Sequence, residues 1–65
     1  MYRLKLFSNL FGVDDRGPMH PTHEEARKAA QRMLMIHQGR VRIEIHRIID
    51  LRTRKTEKVE EMGRQ

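Results

Sequence analysis

The sequence predicts an α+β fold: a single small domain in β-α-β-β order, with one helix packed on one face of a three-stranded, mainly antiparallel sheet. Two stretches and their junction predict it. From Thr22 to Gln38 the apolar residues recur at helical spacing, and from Arg40 they alternate with polar ones. Gly39 alone separates the two patterns, so the helix folds back onto the strand with almost no linker.

Tyr2 to Ser8 alternates Tyr2, Leu4 and Leu6 with Arg3, Lys5 and Phe7, which favours a strand. The competing reading is a short amphipathic helix, since Leu4, Phe7, Leu10 and Phe11 also fall near helical spacing. The strand is preferred because an isolated two-stranded ribbon is marginal and a third member completes the sheet. Asn9 to Pro21 reads as a connecting loop, because Gly12, Asp14-Asp15, Gly17-Pro18 and His20-Pro21 are turn formers.

The helix has a marked start. Thr22 and Glu25 have the spacing of a capping box, and Glu24 and Glu25 stand at the positive end of the helix dipole. Ala26, Ala29, Ala30, Met33, Leu34 and His37 form the inward stripe, flanked by Ile36, with Met35 opposite. In the following strand Val41, Ile43, Ile45, Ile49 and Leu51 share the inward face, while Arg47 and Ile48 interrupt the alternation. A last strand over Thr56–Met62 is expected to turn Val59 inward and charge outward, as an edge strand does. The preferred hairpin register sets Ile49 opposite Val59 and Arg47 opposite Glu61 around a loop Thr53–Lys55, with Lys55 at the left-handed position; the alternative sets Leu51 opposite Val59. The domain is read as residues 1–62, with 63–65 a disordered tail.

At 65 residues the chain is of a size at which burial only just offsets ordering entropy. Without cysteine it has neither a disulfide nor a thiolate zinc site, which leaves oligomerisation as the available support. The same absence, with no apolar run of membrane-spanning length, points to a cytoplasmic protein without a membrane partner. The net charge of +5 is spread over every element except Gly12–Pro21, which suits a soluble surface as well as a nucleic-acid footprint.

No motif specifies catalysis. His20, His23, His37 and His46 lack metal-ligand spacing, Asp14 and Asp15 fit a turn, and there is no phosphate-binding glycine loop or nucleophile context. The expectation is therefore a non-enzymatic binding module with no metal, cofactor or small-molecule substrate. A protein partner or self-association comes first, as an adaptor, an inhibitor or a self-associating subunit, through Phe7 and Ile48 on the bare sheet face with Met35 on the outer helix. Nucleic acid is the alternative, through Arg52, Arg54, Lys55 and Lys58 of the hairpin, Arg42 on the preceding strand, and Arg27, Lys28 and Arg32 on the outer helix.

Overall fold

A computed structural model describes residues 1–63. It is a small α+β domain of one helix and a five-stranded antiparallel sheet. The strands are β1 (Tyr2–Ser8), β2 (Gly12–Asp14), β3 (Met19–His20), β4 (Arg42–Asp50) and β5 (Lys55–Gly63); the helix, α1 (His23–Ile36), lies between β3 and β4 in the chain. The sheet order is β2-β1-β4-β5, with β3 also paired to β1.

The expected three strands are present, and the stretch expected to be only a loop supplies two more. β2 pairs with the end of β1 through Phe7 and Val13, and β3 pairs with its start through Arg3 and Met19. Together they form one interrupted edge. Between these pairings lie Asp15, Arg16, Gly17 and Pro18, where Asp14 Oδ1 accepts from the Arg16 amide at 3.1 Å and proline has no N–H for the ladder. At the other end, Gly12 takes φ +79° to close the turn that follows Ser8.

The helix start follows from its cap. The Glu25 amide donates to Thr22 Oγ1 at 3.1 Å. Only this half of the capping box is formed among the described residues. At the C-terminus the Gly39 amide donates to the Leu34 carbonyl at 2.7 Å, and two successive residues, Gln38 (φ 55°) and Gly39 (φ 73°), turn the chain toward β4.

The core is small: Leu4, Leu6, Val41, Ile43 and Ile45 from the sheet side, and Ala26, Ala29 and Ala30 from the helix. The alanines let the helix axis sit close over β1 and β4, and Tyr2, Met33, Leu34 and Met62 ring the contact. Tyr2 stacks on His23, with ring centroids 5.4 Å apart.

Three expectations for the hairpin are corrected. Ile49 and Leu51 are exposed, as is Val59. Fourteen helical residues extend about 21 Å and nine strand residues about 30 Å, so the helix cannot cover the far end of β4. The register is also different. Ile45 faces Glu60, whereas His46 faces Lys58, so Val59 is the extra residue of a bulge; Ile49 is likewise extra between the pairs Ile48–Thr56 and Asp50–Lys55. Arg47 faces Glu57, not Glu61, and its Nη2 lies 3.0 Å from Glu57 Oε1. The turn is Leu51–Arg54, and the left-handed residue is Arg54 (φ 59°) rather than Lys55. Gly63 belongs to β5 instead of a tail; residues 64 and 65 lie outside those described. No helix among the described residues is long and apolar enough to cross a membrane.

Candidate functional site

With the helix on one side, the other side of the sheet stays bare. β-pairing puts Arg3, Lys5 and Phe7 of β1 beside His46, Glu44 and Arg42 of β4, and these beside Lys58 and Glu61 of β5. One half of this face is electrically matched. Arg42 Nη1 pairs with Glu44 and lies 3.4 Å from Glu61 Oε1, while Lys58 Nζ lies 3.1 Å from the same Glu61 oxygen. The Arg42 guanidinium also covers the Phe7 ring, 3.9 Å from its centroid.

Glu44 is the hub. Burial pushes its carboxyl up, but hydrogen bonds from His46 and Arg42 and the positive charges of Lys58 and Arg42 outweigh that, holding it below the usual carboxylate range. His46 Nε2 sits 2.9 Å from Glu44 Oε1, and His46 Nδ1 sits 3.2 Å from Thr56 Oγ1. A carboxylate, an imidazole and a hydroxyl thus stand in line across β4 and β5. With Nε2–H donating to Glu44, Nδ1 accepts from the Thr56 hydroxyl.

The other half of the face is not matched. Arg3, Lys5, Arg16 and Arg54 surround a concavity of about 640 Å³ whose floor includes Ile48 and Leu51. Asp15 is the one carboxylate among its lining residues, and among the described residues none of the four cations forms an ion pair. Arg3 Nε is buried without a hydrogen-bond partner.

The residues expected to form a docking patch are dispersed. Phe7 faces Arg42, six residues from Ile48 along β4, so about 20 Å separates Phe7 from Ile48. Met35 stands exposed on the helix, away from both. The expected basic residues also divide. Arg27, Lys28 and Arg32 are exposed on the helix, with Arg27 Nε 3.2 Å from Glu60 Oε1; Arg42 and Lys58 lie within the matched half; Arg52, Arg54 and Lys55 surround the hairpin turn.

A second surface lies at the opposite end of the strands. Here the β1–β2 turn leans on the helix C-terminus, with the rings of Phe11 and His37 6.1 Å apart. Leu10, Phe11, Ile36 and Val41 line a concavity of about 710 Å³. Leu10 is 95 % exposed, Ile36 69 % and Phe11 51 %. Among the described residues no group of three or more His, Asp or Glu side chains is placed to hold a metal ion.

Comparison with known protein families, curated proteins and solved structures finds no match. Sequence spacing did not reveal either concavity. Arg3, Lys5 and Arg16 come from β1 and the β2–β3 connection, and only the sheet order brings them beside Arg54. Leu10 could have been noticed as an apolar residue at the centre of a three-residue hairpin turn, where solvent exposure is the rule.

Proposed function

We propose that the protein is a non-enzymatic protein-interaction module that pairs with a second copy of itself through the apolar end. The observation that carries this reading is the exposure of Leu10, Phe11 and Ile36 together around one concavity whose remaining lining is largely polar. Isolated surface leucines are ordinary, but three large apolar side chains exposed around one concavity are not. A two-fold interface is isologous, so a projection and a recess on one surface allow each copy to seat its Leu10 in the other. The thin core adds support: three of its eight buried residues are alanines, and small domains with so little to bury gain stability from oligomerisation. Transferring one such leucine or isoleucine from water into the interface contributes about 1.5–3 kcal/mol.

The test is sedimentation velocity over a wide concentration range, with circular dichroism to confirm folding. The wild type is expected to dimerise, and Leu10→Glu is expected to remain a folded monomer because Leu10 makes no contribution to the core. A wild type that stays monomeric at every concentration refutes the proposal. So does a Leu10→Glu variant that dimerises as the wild type does.

A further inference from the structure

We infer that the cationic concavity on the bare sheet face binds phosphate groups, and that its partner is the phosphodiester backbone of a nucleic acid. The inference is independent of pairing through the apolar end. It rests on the division of one sheet face into two electrostatic halves. Arg42 and Lys58 each have a carboxylate, Glu44 or Glu61, within ion-pair distance. Beside that half, Arg3, Lys5, Arg16 and Arg54 line one concavity with Asp15 as its one acidic lining residue; Lys5 stands opposite Glu44 in the β1–β4 register, without an ion pair between them among the described residues. Bringing four like charges together from β1, the β2–β3 connection and the β4–β5 turn is unfavourable in the free protein, and an anion relieves it.

Thr56 and His46 also line the concavity. With His46 Nε2–H given to Glu44 and the Thr56 hydroxyl given to Nδ1, their protons are already used, so recognition of an anion falls to the cations. Arg54 adds a backbone argument. It occupies a left-handed conformation (φ 59°) that suits glycine far better than arginine, and it is one of the residues lining the concavity. Strain accepted at a residue that lines a recess points to a use for that residue's charge.

The shape selects a chain over a single small anion. About 640 Å³ exceeds what one phosphate fills, and the cations lie around the concavity instead of converging as amides on one point. Ile48 and Leu51 offer apolar surface for sugars, while no Phe, Tyr or Trp lines the site and the His46 ring is held by Glu44 and Thr56, so base stacking is not the means of recognition. Contact through the backbone alone gives binding with little sequence preference and a steep dependence on salt. The surface differs from the hairpin-and-helix set expected from sequence: Arg54 is shared, Arg3, Lys5 and Arg16 are new, and Arg27, Lys28 and Arg32 lie on the helix side of the sheet.

Fluorescence anisotropy with a short labelled DNA, as a single strand and as a duplex, tests the inference at about 50 and about 200 mM salt. Arg16→Gln combined with Arg54→Gly is expected to lower affinity at least tenfold and to reduce the salt slope by about two, one for each phosphate that is no longer neutralised. Lys28→Gln combined with Arg32→Gln, on the helix, is expected to leave both nearly unchanged. Equal losses from the two pairs would show attraction to net charge alone and overturn the inference. Absence of binding to either DNA form overturns it too, as does polyglutamate competing as well as DNA at equal charge concentration, since the site would then be one for acidic protein. Inorganic phosphate and a mononucleotide complete the comparison. They are expected to compete only at far higher concentration; competition at concentrations comparable to the DNA assigns the concavity to a free phosphate compound and overturns the backbone reading.

Discussion

Arg42 lies face-on to Phe7 across the β1–β4 pair, its guanidinium carbon 3.9 Å from the ring centroid, while its Nη1 reaches Glu44 and Glu61. The phenyl ring is thereby covered by a side chain that is itself anchored. Arg42→Ala should cost about 1–2 kcal/mol, because it uncovers the ring and leaves Glu44 and Glu61 with Lys58 alone as a shared cation. Arg42→Lys should recover only part of that, since an ammonium cannot both stack on the ring and fork between two carboxylates. Urea denaturation of the two variants checks the ranking; equal stability of Arg42→Ala and the wild type would show that the stack contributes nothing.

The helix start depends on one side chain. Thr22→Ala should cost about 1 kcal/mol, whereas Glu25→Ala should change stability by only a few tenths, because the Glu25 side chain does not complete the capping box among the described residues. Thermal melts of both variants distinguish a half-formed box from a complete one, in which the two losses would be similar.

Acid should weaken the fold through Glu44. Its carboxyl is held below the ordinary value of 4.5, so the ionised form favours the folded state above that value, and this contribution disappears as pH falls through the lower folded value. The urea midpoint of the wild type should therefore drop as pH is taken below about 4.5. Glu44→Gln should be less stable at neutral pH, having lost the charge that His46 and Arg42 approach, and should show a flatter acid limb. An acid limb as steep as that of the wild type would place the responsible carboxylate elsewhere.

Arg54→Gly should raise stability by up to about 1 kcal/mol, because glycine accepts the left-handed conformation of the β4–β5 turn at little cost. A gain seen by calorimetry together with weaker DNA binding would separate the turn's own preference from the use of its side chain. A loss of stability would mean that the Arg54 side chain contributes more to the folded state than its backbone conformation takes away.

Much of the fold was legible because its signals are local. Thr22 marks the helix start, Ala26, Ala29 and Ala30 its buried stripe, and Val41, Ile43 and Ile45 the phase of β4, each within one turn or one strand of its neighbours. The short edge segments were hidden by their turn-forming residues. Gly12–Asp14 and Met19–His20 carry no alternation long enough to detect, and they are strands only because β1 offers them a free edge. The hairpin register failed for a related reason: the bulges at Ile49 and Val59 change the pairing parity twice, and a rule based on one constant sum cannot follow that. The proposed surfaces were legible least of all. Phe7 and Ile48 share a face by parity, yet the strand length between them and the Arg42 cover on Phe7 arise from pairing across the sheet.

The apolar end and the cationic concavity lie toward opposite ends of β4, with Val41 just before its start and Ile48 near its end, about 23 Å apart. A head-to-head pair would therefore leave both concavities facing outward, as a two-handed clamp whose grips are separated by two domain lengths. Such an object would hold one long polyanion at two places, and release would require both grips to open together. Bivalence of this kind can raise apparent affinity by a factor on the order of 10² to 10⁴ with no added interaction, so a weak grip in each copy would suffice. Short oligonucleotides that reach only one grip would miss the gain.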